Sequence, residues 1–370
     1  MDKHYQKAYY SITKTVMKKR KILKLFSFIV ILFFAFNTNA QIKIEVIDTN
    51  SFLLGEGVVL NKTSFRGLSV VDDLTIWISG SKGTFAISKD GGKSFFFKQI
   101  KGYEKSDFRD IEAFDDKRAI LMSSGIPAYI LKTNDGGNTW NEVFKDTRPE
   151  MFLDAMDFWD ENRGVIVGDP INNHFVLLET KNAGKDWKLL DTIISPTSMD
   201  SEAVFAASGT SLRCWNKNDF IFVTGGKNCR AIIRMNENLV YENLNIHHGK
   251  SSQGAFSIAI DDSMGFIAVG GDYLCDSCIN KNSILVHSAY LLNVLLNKDS
   301  TEVSGYKSCV EIINPFNFLS ISCGTKGVDV LQNFKWMKIS DESFNVVRKA
   351  KRGKSVFMAG AKGKIAKLIY

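Results

Sequence analysis

The sequence predicts an all-β fold, a seven-bladed β-propeller in a single domain over residues 41–370. The first observation is an apolar strand ending in small residues and glycine, which recurs seven times and ends at Gly80, Gly125, Gly168, Gly225, Gly270, Gly324 and Gly360. The second is the average spacing of about 47 residues, which lies within the span of propeller blades. The third is the absence of a useful helix-period stretch, together with only five prolines in the whole chain.

A second repeated element follows the first three of these strands. It reads SKDGGKSF at 88–95, TNDGGNTW at 133–140 and TKNAGKDW at 180–187. These segments resemble the Asp-box of bacterial neuraminidase repeats. Asp90, Asp135 and Asn182 are expected to accept backbone N–H groups in a hairpin turn, and Trp140 and Trp187 to wedge between sheets. One copy fits any tight β-turn, whereas three in register make a specific signal.

Each blade is predicted to hold four strands, written for the first blade as 65–71, 75–79, 84–88 and 94–100. Later blades are expected to begin near the following residues: Phe108, Phe152, Ala203, Phe256, Tyr306 and Phe344. The last repeat has room for only about three strands. We therefore expect residues 42–47 to supply its fourth strand and close the ring, which removes exposed sheet edges.

Residues 1–40 are predicted to be an export signal. Basic residues at 18–24 precede an apolar run over 25–36, which is too short to span a bilayer as a helix, and small and polar residues precede Gln41. A start at Met17 would give a compact signal with a basic head, so both starts remain open. The expected location is periplasmic or secreted, with no stable membrane insertion after signal removal.

The formal charge of +7 belongs to this leader. Residues 1–40 hold eight of the 47 basic and one of the 40 acidic residues, so 39 of each remain in the rest of the chain. A neutral balance argues against nucleic acid and anionic membranes as partners.

Antiparallel strand order predicts which face carries function. The loops after second strands and the entries to first strands open on one face, and the Asp-box turns lie on the other. The candidate binding residues on the first face are Arg66, Arg109, Asp154, Asp169, Glu202, Asp272, Tyr273 and Lys307. Arg66 and Arg109 occupy the same place in their repeats, and Asp154 takes that place in the third. Two guanidinium groups near a carboxylate can hold a carboxylate-bearing ligand, although such charges also occur as solvated loop residues or pair with one another.

The six cysteines all fall between residues 214 and 323, and an even count in an exported chain permits disulfides. Cys275 and Cys278 favour a local loop disulfide over a redox or metal site, because no second CxxC is present. Cys309 and Cys323 lie at similar distances from a turn near Pro315, so they are candidates to pair across a hairpin. No metal site, cofactor motif or catalytic triad order is found.

The chain resembles the photosystem II stability/assembly factor-like propellers. The resemblance covers nearly all of residues 41–370 and is carried by SFRGLSV at 64–70, DFRDI at 107–111, GDP at 168–170, SEAVFAASGT at 201–210 and GGDY at 270–273. The segment GYKS at 305–308 resembles a further motif that usually has arginine where Lys307 stands. The resemblance implies a propeller fold and a general assembly role.

The sequence is therefore compatible with two functions. The first is a non-enzymatic binding or assembly module that grips an envelope or secreted protein, or a glycan, through the candidate face. The alternative is a glycoside hydrolase of sialidase-like architecture, which needs an arginine cluster, a tyrosine nucleophile beside a glutamate, and an acid/base. Arg66, Arg109, Glu202, Tyr273 and Asp272 offer those residue types without a diagnostic order.

Overall fold

The computed structural model describes residues 42–261, 265–286, 302–317 and 319–370. The predicted export signal lies outside these residues. The compact unit over Lys43–Ile369 is built of β-strands. Three short 3₁₀ helices are also described, at Thr49–Ser51, Leu60–Lys62 and Pro315–Asn317. No helix within the described ranges is long and apolar enough to cross a bilayer.

The strands in the described residues form seven antiparallel sheets, six of four strands and one of five. The first three sheets are β2 (Phe65–Val70), β3 (Ile76–Gly80), β4 (Thr84–Ser88) and β5 (Phe96–Gln99); β6 (Asp107–Ala113), β7 (Ala119–Ser124), β8 (Ala128–Thr133) and β9 (Asn141–Asp146); and β10 (Leu153–Phe158), β11 (Gly164–Ile171), β12 (His174–Thr180) and β13 (Lys188–Leu189). The fourth sheet is β15 (Leu212–Trp215), β16 (Asp219–Val223), β18 (Arg230–Met235) and β19 (Asn238–Asn243).

The remaining sheets complete the fold. The five-stranded sheet is β14 (Glu202–Ala203), β17 (Gly225–Gly226), β20 (Lys250–Ile260), β21 (Phe266–Asp272) and β22 (Ser283–Val286). The last two are β23 (Cys309–Asn314), β24 (Leu319–Gly324), β25 (Gly327–Gln332) and β26 (Lys335–Ser340); and β27 (Val346–Lys349), β28 (Val356–Ala359), β29 (Ile365–Ile369) and β1 (Lys43–Ile47). In the last sheet β1 pairs with β29 from Lys43 opposite Ile369 to Ile47 opposite Ile365, as the N-terminal strand was expected to do.

One strand from each sheet faces the centre, and we call β2, β6, β10, β15, β20, β23 and β27 the inner strands. Each contacts the inner strand of the next sheet, and β27 contacts β2, so the contacts form a closed cycle. Side chains join neighbours around this cycle. Ser69 Oγ accepts the N–H of Ala113 at 3.1 Å, and Ser257 Oγ accepts that of Val310 at 2.9 Å. Asp157 Oδ2 accepts the N–H of Cys214 in the same way at 2.7 Å.

The predicted start of the fourth blade needs correction. The fourth inner strand does not begin near Ala203, because Glu202–Ala203 pairs with Gly225–Gly226 in the five-stranded sheet and the inner strand starts only at Leu212. A short extra segment at 204–211 therefore crosses between sheets. A fourth strand after β22 would fall in 287–301, outside the described residues.

The three repeated turns share one hydrogen-bond pattern. Asp90 accepts from the N–H of Ser94 at 3.0 Å and from its hydroxyl at 2.6 Å. Asp135 accepts from both groups of Thr139 at 2.9 and 2.6 Å. In the third copy only the side-chain bond is reversed, since the amide of Asn182 donates to the carboxylate of Asp186 at 2.7 Å, while Asn182 Oδ1 still accepts the N–H of Asp186 at 3.0 Å. The turn survives the change of residue because the pair still has one donor and one acceptor.

The second glycine of each repeated turn lies against the preceding sheet. Gly137 has φ +79°, and a Cβ there would stand 2.5 Å from the ring of Phe85. The adjacent Trp140 packs edge-on against Phe85 at 5.3 Å and Trp77 at 6.3 Å. Phe85 and Trp77 belong to the first sheet, and the turn belongs to the second. The turn therefore packs across the interface between the two sheets, as the wedge role of Trp140 requires.

Candidate functional site

A cavity of about 440 Å³ opens where the inner strands begin. Its lining includes five of the eight candidate binding residues: Arg66, Arg109, Asp154, Asp169 and Tyr273. Aromatic and backbone groups complete it, from Phe152, Ala203, Val204, Phe205, Ala206, Ala207, Phe256, Tyr306, Ser308, Thr325 and Asn345. We call this cavity the mouth pocket.

β-Bulges place the key side chains in the mouth pocket. The strand pairing skips a residue between Phe65 and Gly67, between Phe108 and Asp110, and between Leu153 and Ala155. The skipped residues are Arg66, Arg109 and Asp154. A bulged residue is left out of the ladder and its side chain is re-aimed. Further bulges skip Asp169 in β11 and Phe256 in β20, and both of these also line the pocket.

The segment 204–211, which we call the crossing loop, forms one wall. The carbonyl of Ala207 accepts from Arg66 Nη1 at 3.3 Å, and that of Ala206 accepts from Arg109 Nη1 at 3.2 Å. Asp169 Oδ1 accepts from the N–H of Val204 at 3.1 Å. The loop is thus held by three of the bulged side chains, each from a different inner or second strand.

The two arginines lie close enough to repel each other. Burial, and next the charge of Arg109, lowers the pKa of Arg66 below its ordinary value. Arg109 Nε also donates to Asp107 Oδ2 at 2.8 Å, and its side chain keeps 30% exposure. Two cations that share a partly buried pocket favour an incoming anion, because the anion offsets both the burial and the repulsion.

The pKa values of two carboxyl groups in the pocket are raised, in contrast to the lowered pKa of Arg66. Burial, and next the charge of Asp169, holds the pKa of Asp154 well above its ordinary value. Burial raises the pKa of Asp169 to about 6. Asp154 is fully buried, and neither of its carboxyl oxygens accepts a hydrogen bond of normal geometry within the described part of the chain. The nearby backbone N–H groups of Ala206 and Asp169 lower its pKa only in part.

An aromatic group forms a further part of the lining. Phe205 of the crossing loop stacks on Phe256 with ring centroids 3.9 Å apart. Tyr306 meets Phe256 edge-on at 4.9 Å, and Tyr273 meets it edge-on at 6.1 Å. Phe205, Phe256 and Tyr306 were not among the predicted site residues. The crossing-loop motif and the GYKS motif, both noted as family-like, contain Phe205 and Tyr306 and were the available signals.

The other three candidate binding residues are buried elsewhere, in polar networks. Glu202 accepts from Arg230 Nε at 2.8 Å and from Thr224 Oγ1 at 2.6 Å. Asp272 accepts from Gln253 at 2.9 Å. Lys307 pairs with Asp329 and donates to the carbonyl of Gly327 at 3.1 Å. Their charges are satisfied inside the protein, so the sequence prediction that they face the site is wrong for these three.

Of the two disulfides predicted from the sequence, the structure contains one and lacks the other. Cys275 and Cys278 form a disulfide, as expected. Cys309 and Cys323 do face each other across the β23–β24 hairpin, but they are free thiols, so the candidate disulfide between them is absent. Cys309 Sγ instead donates to the carbonyl of Val347 at 3.3 Å. No group of three or more metal-ligating side chains occurs among the residues described.

Known proteins share the fold. The structure of YCF48 from Cyanidioschyzon merolae is 14% identical, with a TM-score of 0.60, and the match covers 89% of this chain and 98% of that one. YCF48 bound to D1 peptide is 15% identical with a TM-score of 0.58, covering 88% and 97%. The chain has a β-propeller fold. The resemblance to the photosystem II assembly factor-like propellers is confirmed at the level of the fold.

Other comparisons are more distant or partial. The RRP9 WD40 repeats are 11% identical with a TM-score of 0.60, covering 89% of this chain and 99% of that one. Vacuolar protein sorting/targeting protein 10 of Pyricularia oryzae is 28% identical over 155 residues. That match covers 41% of this chain and spans only 10% of the relative's length. No protein-family model matches the chain.

Proposed function

We propose that the protein is a binding or assembly module that holds an acidic group of a protein partner in the mouth pocket. One observation carries the proposal, which is the convergence of the bulged Arg66 and Arg109 in one pocket. Backbone carbonyls orient both guanidinium groups, and each keeps further N–H donors for a carboxylate. The similar structure of YCF48 bound to D1 peptide supports a peptide-like ligand.

The same proposal includes the architecture and location. The seven sheets serve as the seven blades of one propeller over residues 41–370, with Asp-box turns on the face away from the pocket and β1 completing the last blade. The first Asp-box turn supports this placement, because the N–H of Gly91 in that turn donates to the carbonyl of Leu74 at 2.9 Å. Leu74 follows the C-terminal end of β2, whereas Arg66 lies near the N-terminal end of that strand. The leader composition and the Cys275–Cys278 disulfide support an exported, periplasmic or secreted protein.

The sialidase-like alternative has less support. It needs a tyrosine with a glutamate beside it. Tyr273 lines the mouth pocket, whereas the carboxylate of Glu202 is bound by Arg230 outside it. A glycan with a carboxylate would still fit the arginines, so it enters the test as a ligand.

A peptide array tests the proposal. Short acidic, neutral and basic peptides, together with a sialoside, are offered to the wild type and to the Arg66→Ala/Arg109→Ala variant. Each charge-assisted bond contributes about 1.5 to 3 kcal/mol, so we expect acidic peptides to lose at least about tenfold in affinity. Fluorogenic sialosides should not be hydrolysed.

The matched control is Arg118→Ala/Arg163→Ala. These arginines pair with Asp115 and Asp160 near the surface, beyond the far ends of β6 and β10. Exposed pairs contribute little to stability, so this variant should fold and bind like the wild type. Equal affinity of acidic peptides for the wild type and the pocket variant would refute the proposed function.

A further inference from the structure

Asp154 differs in its hydrogen bonding from the other buried carboxyl groups of the described residues. Other buried carboxyls in the described ranges are satisfied, as Asp110 is by the N–H groups of Met156 at 2.7 Å and Ile111 at 2.8 Å. Asp154 has 0% exposure, and neither of its oxygens accepts a hydrogen bond of normal geometry within the described residues. The backbone N–H groups of Ala206 and Asp169 lie near it and offset only part of the rise in its pKa. Leaving a buried polar group unpaired is costly, so each such case in a folded protein requires an explanation.

The position of Asp154 supplies that explanation. It is the bulged residue of β10 and lines the mouth pocket beside Asp169 and near the charge of Arg109. A group in this pocket that donates hydrogen bonds would satisfy Asp154. The pocket therefore offers two adjacent environments, one of guanidinium groups and one of carboxyls.

The aromatic wall favours a cation next to the carboxyls. Phe205 and Phe256 stack in the same pocket, and Tyr306 lies edge-on against Phe256. Aromatic faces attract ammonium groups and exclude water, which strengthens a nearby ion pair. A cavity of about 440 Å³ suits a ligand of small-molecule or short-peptide size.

We propose that the mouth pocket recognises a group with both charges, holding its carboxylate on Arg66 and Arg109 and its ammonium on Asp154. This inference rests on the proposed function for the arginines and adds the second half of the ligand. The ammonium has two sources, which are an α-amino group and the side chain of a lysine beside an acidic residue.

Defined probes separate the two charges. The first set is L-phenylalanine, N-acetyl-L-phenylalanine, which lacks the ammonium, and L-phenylalanine amide, which lacks the carboxylate. The second set is the blocked dipeptide acetyl-Glu-Lys-amide and its acetyl-lysine counterpart. Calorimetric titration of the wild type should show at least about tenfold weaker binding when either charge is removed. The set with the larger loss identifies the source of the ammonium.

The decisive variant is Asp154→Asn, which keeps the shape of the side chain. It should bind the ammonium probes at least about tenfold more weakly and N-acetyl-L-phenylalanine unchanged. Arg66→Ala/Arg109→Ala should instead lose every carboxylate probe. Asp272→Asn is the matched control, since Asp272 is a buried acid bonded to Gln253 that does not line the pocket.

A second measurement follows the release of a proton from Asp154 on ligand binding. An ammonium ligand stabilises the ionised form of Asp154, whose pKa is raised in the free protein. Binding near pH 7 should therefore release a proton, seen as a binding enthalpy that depends on the ionisation enthalpy of the buffer. The release should disappear in Asp154→Asn, and circular dichroism of that variant shows whether it folds.

The outcomes separate the two proposals. If the acetylated probes bind as tightly as the free amines and Asp154→Asn changes nothing, the ammonium site is wrong while the role of the arginines stands. Binding of none of the probes at millimolar concentration also overturns the ammonium site. If carboxylate probes bind the double arginine variant as well as the wild type, the proposed function itself fails.

Discussion

At the scale of single residues, the mouth pocket is lined by side chains that leave the regular strand pattern. Arg66, Arg109 and Asp154 reach the mouth pocket because each is skipped in its ladder. The sequence showed that the three are equivalent in their repeats, which was enough to place them together. It did not show the bulges, since a bulge is defined by pairing with the neighbouring strand and not by local residue pattern.

Two of the three residues that sequence reasoning misplaced share one cause. Glu202 and Lys307 are charged residues beside pocket-lining segments, so they were assigned to the same face. Each instead has a buried partner distant in sequence, Arg230 for Glu202 and Asp329 for Lys307. Such a partner decides whether a charge faces the site or the interior, and the sequence alone does not identify it.

The glycines of the repeated turns provide a test at this scale. We expect Gly137→Ala to lower the free energy of unfolding by about 2 to 4 kcal/mol, because φ is +79° and the new Cβ meets Phe85 at 2.5 Å. Gly102→Ala is the control, since its φ is +90° and no heavy atom lies within 4 Å. The control should lose only about 1 to 2 kcal/mol in urea denaturation. Equal losses in the two variants would mean that contact with the neighbouring sheet is unimportant.

At the scale of elements, the repeat pattern predicted most of the strands. The four strands of the first sheet lie within two residues of the predicted bounds. The fourth inner strand was misplaced because the crossing loop contains an apolar run, VFAA at 204–207, that is typical of a strand start. Its backbone binds the two arginines instead of a neighbouring strand.

The N-terminal strand is the element with the clearest individual test. Deleting residues 41–48 removes the pairing of β1 with β29 and exposes the edge of the last sheet. With about 0.5 to 1.5 kcal/mol for each hydrogen bond lost, the free energy of unfolding should fall by roughly 2 to 5 kcal/mol. Thermal unfolding of a chain that begins at Gln41 serves as the reference. An unchanged melting temperature would contradict a closing role for β1.

At the scale of the whole molecule, the closed cycle of inner strands explains how sheets without a common hydrogen-bond ladder stay together. Side-chain acceptors such as Ser69 and Ser257 bind the backbone of the next inner strand. Apolar side chains fill the space between sheets, as Trp77 and Leu121 do between the first and second. The repeat period predicted this cycle, whereas the identity of the linking side chains was visible only in the structure.

The pH dependence of stability belongs to this scale, since the carboxyls concerned come from two sheets. Burial raises the pKa of Asp110 to about 8 and that of Asp169 to about 6, and raises that of Asp154 as well. The folded state therefore keeps these protons at pH values where the unfolded chain has lost them. Their contribution to stability is complete below about pH 4 and is lost as pH rises through about 6 and 8.

We accordingly expect the free energy of unfolding to fall by on the order of 3 kcal/mol between pH 5 and pH 8.5. Urea denaturation at several pH values measures the slope, and Asp154→Asn should make it shallower. Asp135, whose pKa is lowered to about 2 by its bonds to Thr139, changes stability only below about pH 4 and does not interfere. A stability that rises over this range would contradict the buried acids being protonated.

The crossing loop has a practical consequence for the evolution and engineering of the protein. It is a short connection between two sheets, and its carbonyls and Phe205 form a wall of the pocket without belonging to the inner-strand cycle. Changes in its sequence can therefore alter what the pocket accepts while the scaffold remains intact. Replacing residues 204–207 with other sequences offers a way to change what the proposed module binds, with Arg66 and Arg109 kept in place.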